Sequence, residues 1–295
     1  MAKGTPARPA WKALLDRERP LVLPAAHDAL TAKIIERAGF PAYQIGGFAL
    51  TASRHAFPDI DLTHFGEESA GVRDIISACS LPVLVDADDG YGDVKNVTRT
   101  ILGYEAMGAS AIFIEDQRAP KRCGHMSGKE VVPAEVMEAK VRAAVTARRH
   151  RETFILARTD AIEPLGVDEA LRRAERYLKA GADGAYVEGP RSIDELEHVG
   201  RALGSMPLAT SILEGGGKTP WLSPREMYEL GFSMILYPTT VLFQVTRAIE
   251  RAVAGLSGGQ PMPADDSVTM DQFEEVVDLA AWKEIEKRFG QSWDE

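Results

Sequence analysis

Cysteine is scarce in this sequence of 295 residues: only Cys79 and Cys123 occur. Two thiols exclude a disulfide framework, and with no second Cys/His pair at ligand spacing a zinc site at Cys123 and His125 is not expected. No apolar run reaches the roughly 18 residues that span a bilayer, and the stretch MAKGTPARPAWKALLDRERP contains no continuous apolar segment of the kind a signal sequence needs. Membrane partners are therefore not expected, and the cytoplasm is the expected location. Long basic clusters are missing and the net charge is −10, which argues against nucleic acid while leaving room for a small anion held by a few local cations. Low-complexity tracts are absent too; GLSGGQPMP (255–263) is the one strong linker-like stretch.

What is present is a repeated alternation. Hydrophobic residues make up 45% and charged residues 26% of the chain, a composition that can bury a substantial core. Eight short apolar runs recur between longer helical patterns: LVLPAA (21–26), AYQIGG (42–47), PVLVDAD (82–88), SAIFIED (110–116), TFILARTD (153–160), GAYVEG (184–189), PLATSI (207–212) and MILYP (234–238). Runs apolar throughout suit parallel strands covered on both faces. RAGF, AMGA, KAGA and ELGF place a glycine between each helical pattern and the next strand, the signal of a helix C-terminus. The spacing predicts a TIM (β/α)8 barrel, with an open doubly wound sheet as the alternative. One barrel domain over 1–295 is expected, with about 255–295 as linker and C-terminal helical segment.

In such a barrel Asp86, Asp88, Glu115, Asp116, Arg158, Asp160, Glu188 and Ser211 end strands on the face where active sites are built. Within DADDGYGD (86–93), Asp86 and Asp88 are two apart on an extended segment, so both carboxylates point to one side, and Glu115 ends the next strand. Oxygen ligands without His or Cys suit Mg²⁺ or Mn²⁺; the plainer reading is that these acids cap the following helix. Arg158 suits a bidentate hold on a substrate carboxylate or simply neutralises its acidic neighbours. The segment PKRCGHMSGK (120–129) is expected to be a mobile basic loop in which Lys121, Arg122 and His125 lower the pKa of Cys123, making it either a reactive group or an incidental surface thiol. EGGGKTP (214–220) lacks Walker spacing and reads as a Gly-rich loop near the same face.

Taken together, DADDGYG, IEDQ, PKRCGHMSGK, ARTDA, VEGP and ILYP resemble, in order and spacing, the isocitrate lyase and phosphoenolpyruvate mutase superfamily over roughly residues 20–250. KRCGH resembles the signature of its carbon–carbon lyase branch, whose short members include 2-methylisocitrate lyase and 2,3-dimethylmalate lyase. The resemblance implies a homotetramer of barrels, a dimer of dimers with the eighth helix exchanged between subunits. It implies Mg²⁺ at Asp86 and Asp88 with Glu115 behind them, and substrate contacts at position 45, Gly46, Gly47, Asp59, Gly124, Arg158 and Glu188. Cys123 is implied as the proton donor on a gating loop, with Lys121, His125 and Glu115 in the catalytic group. The implied substrate is a small 2-hydroxy acid, cleaved between C2 and C3 to a 2-oxo acid and an enolate that must be protonated.

The chain departs from that pattern at four places. Ile45 stands where methylisocitrate lyases have serine, Thr210 or Ser211 where they have asparagine, and Phe243 where they have a carboxylate-binding arginine; a further arginine has no counterpart in SVTMDQFEE. An unpaired charge in a closed site costs several kcal/mol, so a dicarboxylate of the 2-alkylmalate type is expected rather than methylisocitrate. The alternatives are an oxaloacetate decarboxylase and, further off, a phosphorus–carbon bond enzyme, whose members lack the CGH gating sequence, or a catalytically silent binding barrel.

Overall fold

The structure, a computed structural model, describes residues 10–261 and 263–290. Residues 1–9, at the start of MAKGTPARPAWKALLDRERP, Met262 of the linker-like stretch and residues 291–295 of the expected C-terminal segment lie outside the described residues. Eight strands form: β1 Leu21–Pro24, β2 Tyr43–Ile45, β3 Val83–Asp86, β4 Ala111–Glu115, β5 Phe154–Thr159, β6 Gly184–Val187, β7 Leu208–Ser211 and β8 Met234–Tyr237. Each falls inside one of the apolar runs. All ladders are parallel, in the order β1-β8-β7-β6-β5-β4-β3-β2. The two ends meet at Gln44: Ala25 bridges to it, the Ala26 N–H donates to its carbonyl at 2.9 Å, and its side-chain amide donates to the Leu23 carbonyl at 3.0 Å. The sheet is thus a nearly closed (β/α)8 barrel rather than an open one.

Alternation along each strand divides the core into layers. Leu21, Leu23, Leu84, Ala111, Phe113, Phe154, Leu156, Tyr186, Ala209, Met234 and Leu236 pack together inside the barrel. Intervening residues such as Val83, Val85, Ile112, Ile114 and Ile155 face the surrounding helices. Trp11 and Leu14, on the helix Trp11–Arg17 ahead of β1, join the interior cluster at 0% exposure and close one end of it. The four helix-ending glycines, Gly39, Gly108, Gly181 and Gly231, all have φ between 82° and 113°, a region that residues with a Cβ adopt at a cost.

The chain divides into two compact units at Leu242/Phe243, within the helix Thr240–Ser257 and ahead of the linker-like stretch. In the second unit that helix, Met270–Val276 and Leu279–Phe289 have no buried residue, and Val253, Leu256, Met270 and Trp282 are each at least 60% exposed. Among the described residues, no helix is long and apolar enough to cross a membrane.

Candidate active site at the barrel mouth

Following each interior residue two positions further along its strand leads to the site. Leu84 is followed by Asp86, Phe113 by Glu115, Leu156 by Arg158, Tyr186 by Glu188 and Ala209 by Ser211. These polar side chains, with Gly46, Phe48, Asp59, Lys121, Arg122, Cys123, Gly124 and His125, line one cavity of ≈ 40 Å³ at the C-terminal ends of the strands. A single water needs roughly 10–15 Å³ by this kind of measure, so a very small ligand fits once water leaves.

Negative charge is in excess here. Asp59, Asp86, Asp88, Glu115, Asp160 and Glu188 face only three buried cations, Lys121, Lys129 and Arg158. Burial, and then Asp88, push the Asp86 carboxyl up to about 7; burial likewise holds Glu115 well above the usual carboxylate range. Glu115 Oε2 lies 3.2 Å from Arg158 Nε, whereas its Oε1 is buried without a hydrogen-bond partner. Gly47 donates its N–H to Asp86 Oδ2 at 3.1 Å, and a Cβ there would stand 3.2 Å from Asp88 Oδ1 and 3.4 Å from Asp86 Oδ2. A glycine that leaves both carboxylates uncovered, an orphaned carboxylate oxygen and a shortage of positive charge fit a divalent cation. Among the described residues no three His, Cys, Asp or Glu side chains form a ready metal cage, which is compatible with Mg²⁺, an ion that takes one or two protein carboxylates and keeps waters.

Asp86 and Asp88 converge by a different route from the extended one expected. β3 ends at Asp86, and Asp88 adopts φ 47°. The turn lets the Asp88 N–H donate to Asp86 Oδ1 at 2.9 Å and sends the Asp88 side chain to the Lys121 ammonium rather than to the cavity wall. Lys121 also meets Asp59 at 2.5 Å. Burial opposes its charge, but Asp88 and Asp59 outweigh burial and keep it an ammonium. Arg158 forks onto Asp160, with Nε 2.8 Å and Nη2 3.0 Å from its two oxygens, and lies beside the Tyr186 ring with its guanidinium carbon 5.2 Å from the ring centre. Although burial disfavours the charge on Glu188, Arg158 and then His125 hold its carboxylate well below the usual range.

The loop carrying Cys123 lies over this group. Gln117 clamps its base, accepting from the Arg122 N–H at 2.9 Å and donating to the Arg122 carbonyl at 2.8 Å. The Cys123 N–H donates to the Asp59 carbonyl at 3.1 Å. A Cβ on Gly124 would come within 2.5 Å of Arg158 Nη2 and 2.6 Å of Glu188 Cγ, so only glycine lets the loop settle this close. His125 Nδ1 accepts from the Lys218 N–H at 2.9 Å; its Nε2 therefore carries the proton, 3.0 Å from both Ser211 Oγ and Glu188 Oε1. Ser211 in turn donates to Glu188 at 3.0 Å, so Ser211 rather than Thr210 reaches the cavity.

The expectation that the basic loop acidifies Cys123 is corrected. Lys121 is committed to Asp59 and Asp88, and the thiol is instead pushed up to about 11 by burial and then by Asp59. Only the thiolate reacts with iodoacetamide. Raising the pKa from 9.0 to about 11 cuts the thiolate fraction at pH 8 about 100-fold. Alkylation of Cys123 followed by mass spectrometry at pH 8 should be slower by that factor than for an ordinary thiol; a rate within about threefold of an ordinary thiol would contradict this placement.

Two expected contacts of the first unit, Ile45 and Gly47, do not line the cavity. On β2 it is Gln44 that points inward, so Ile45 packs outward in the layer with Leu50, Ile75 and Val85, at 1% exposure. Phe243 belongs to the second unit, on the helix Thr240–Ser257, and the cavity is lined by first-unit residues. Asp116 also turns away, accepting from Thr159 Oγ1, the Asp160 N–H, Tyr177 and Arg173, a structural role. Conversely, Phe48, Tyr186 and Lys129 escaped the sequence reading. The parity of β6 marks Tyr186 as inward, whereas nothing local marks Lys129, which donates to the Gly124 carbonyl at 2.5 Å and to Asp160 at 2.9 Å.

Comparison with known proteins bears on what this geometry does. Residues 11–257 match the family model described as phosphoenolpyruvate phosphomutase. The 2,3-dimethylmalate lyase of Eubacterium barkeri is 37% identical over 278 residues, 94% of this chain and 96% of the relative. Oxaloacetate acetylhydrolase in complex with the inhibitor 3,3-difluorooxalacetate superposes with a TM-score of 0.90 at 29% identity, covering 97% of both chains. The complex of phosphonopyruvate hydrolase with oxalate and Mg²⁺ gives a TM-score of 0.86 at 30% identity, over 96% of this chain and 98% of that one.

Proposed function

Because the chain belongs to the phosphoenolpyruvate phosphomutase family, part of the PEP mutase/isocitrate lyase superfamily, we propose that it is a carbon–carbon lyase that cleaves a small 2-hydroxy dicarboxylate of the 2-alkylmalate type to a 2-oxo acid and a carboxylic acid. The observation that carries this reading is Cys123, a thiol kept protonated in the roof of a cavity whose floor holds the Asp86 and Glu115 carboxylates, with Asp88 behind them on Lys121. A proton donor has to arrive protonated, and a pKa of about 11 does that at neutral pH.

Asp86 and Asp88, with Glu115 behind, are the residues that would hold the divalent cation, Mg²⁺ or Mn²⁺. When bound, it supplies Lewis acidity toward the carboxylate and C2 oxygen of the substrate. Arg158 presents a guanidinium to a carboxylate, and Lys121 places a fixed positive charge where electrons accumulate as the C2–C3 bond breaks. The C2 hydroxyl proton passes to a carboxylate of the site, Glu188 being the one held ionised, the C2–C3 bonding pair goes to C3, and Cys123 gives its proton to that carbon, leaving a thiolate that solvent reprotonates when the loop opens. His125, Ser211 and Glu188 shape the wall around the reacting fragment, Gly46 and the Gly124 backbone complete it, and the loop keeps water from reaching the carbanion first. Gly47 holds Asp86 in place, Asp59 holds Lys121, and Ile45 contributes by supporting β2 from outside.

The cavity of ≈ 40 Å³ favours a small diacid over a tricarboxylate. It also gives weight to a second reading, cleavage or decarboxylation of oxaloacetate, a smaller acid. A panel of 2-hydroxy and 2-oxo diacids, assayed by coupling 2-oxo acid release to a reductase, separates them: turnover of alkylmalates, lost with chelator and restored by Mg²⁺ or Mn²⁺, is the expected result, and oxaloacetate as the only substrate turned over would move the assignment. The enzyme should be run as the homotetramer we infer from the uncovered apolar faces of the C-terminal helices, the segment proposed to be exchanged between subunits, and its mass checked by light scattering. A cytoplasmic location belongs to the same reading.

A further inference from the structure

The Gly-rich stretch EGGGKTP has no part in the chemistry above, yet its lysine meets the Cys123 loop at two points and an acid beside that loop at a third. The Lys218 ammonium donates to the Met126 carbonyl at 2.8 Å and pairs with Glu163 Oε2, while the Lys218 N–H donates to His125 Nδ1. Glu163, on the short helix Ile162–Leu165 after β5, uses its other oxygen to accept the Gly128 N–H at 2.8 Å. One ion pair, with both side chains below 20% exposed, thus grips the backbone of the Cys123 loop at residues 126 and 128. Neither residue lines the cavity.

We propose that the Glu163–Lys218 pair is the latch of the active-site loop, two positioning residues that hold Cys123 and His125 over the substrate without touching it. The loop after β7 and the helix after β5 form two jaws, and the pair joins them across the loop. Charge-assisted hydrogen bonds to backbone in a half-buried setting are among the stronger ones. The pair also accounts for the glycines: Gly215 and Gly216 have φ 82° and 133°, bending the β7 loop so that Lys218 presents both its N–H and its ammonium to the same partner loop.

The inference rests on the lyase reading for its consequence but can be tested without it. In Lys218→Met, iodoacetamide alkylation mapped to Cys123 at pH 8 is expected to speed up about tenfold or more, because an open loop exposes the thiol to water and relieves the burial that raises its pKa. Lys218→Arg, which still donates to Glu163 and Met126, should stay near the wild-type rate. Glu163→Gln keeps an acceptor for Gly128 and should lie between them; the double variant should be no faster than Lys218→Met, since both remove one device. In turnover, kcat/KM should fall about 10- to 100-fold for Lys218→Met. An unchanged alkylation rate in Lys218→Met and in Glu163→Gln overturns the latch whatever happens to activity. Faster alkylation in a protein that turns over no acid of the panel keeps the latch and defeats the lyase reading.

Discussion

Replacing Cys123 by serine is expected to lower kcat for carbon–carbon cleavage by about 10³-fold, the scale of a lost general acid, while leaving joint binding of Mg²⁺ and a 2-oxo acid within about threefold by calorimetry. A serine hydroxyl keeps the volume and the hydrogen-bonding sense of the thiol, and the loop closes through Gln117, Gly124 and the Cys123 N–H, none of which the substitution touches. What changes is acidity. The thiol ionises at about 11; an alcohol ionises several units higher, so proton delivery to the departing carbon becomes the slow step. A site that only decarboxylates oxaloacetate yields a 2-oxo acid enolate that water can protonate; there the same variant would lose tenfold or less. Retained turnover of an alkylmalate in Cys123→Ser would remove Cys123 from the chemistry.

Arg158→Leu should lower stability by about 3–5 kcal/mol, together with undetectable turnover. The guanidinium is the shared partner of Glu115, Asp160 and Glu188, at 3.2, 2.8 and 3.8 Å, all at or below 2% side-chain exposure. Deleting it takes a buried cation from all three at once: Asp160 keeps Lys129 and Glu188 keeps His125 and Ser211, while Glu115 loses the ion-pair partner it has among the described residues. Arg158→Lys separates the two losses. A lysine restores the charge and much of the stability, but it cannot fork onto Asp160 and still face the cavity, so substrate KM should remain raised. Urea unfolding monitored by circular dichroism and by tryptophan fluorescence measures the first effect, and the panel assay the second. A midpoint for Arg158→Leu within experimental error of wild type would show that the acids do not depend on it.

The strand-end residues were legible in the sequence because a period of two leaves no choice. Once Leu84, Phe113, Leu156, Tyr186 and Ala209 are interior, Asp86, Glu115, Arg158, Glu188 and Ser211 must follow on the same side. The same rule on β2 puts Ile45 outward with Tyr43 and leaves Gln44 inside, so a residue's place in the family pattern does not by itself put it on the cavity wall. Asp116 is likewise out of phase with Glu115, and its partners on β5 and the helix Val167–Lys179 lie 43 to 61 residues away. The direction of the Cys123 shift could not be read locally. Lys121 and Arg122 precede the thiol in the chain, but burial and Asp59, 64 positions earlier in the sequence, determine its state. Lys129, Glu163 and Lys218 were hidden for the same reason, since an ion pair 55 residues apart leaves no periodic trace.

The helix Trp11–Arg17 has a kinetic consequence. With Trp11 and Leu14 fully enclosed in the interior cluster, that end of the barrel is plugged, and the cavity lies at the opposite end with the Cys123 loop in its lining. On the proposed lyase reading, the two fragments of a cleaved substrate would depart in sequence by one doorway, the outer fragment first and the one beside Asp86, Glu115 and Arg158 last. In a queue of this kind the inner product competes with fresh substrate for the empty pocket, the outer one does not, and the frequency with which the doorway opens sets the ceiling on throughput.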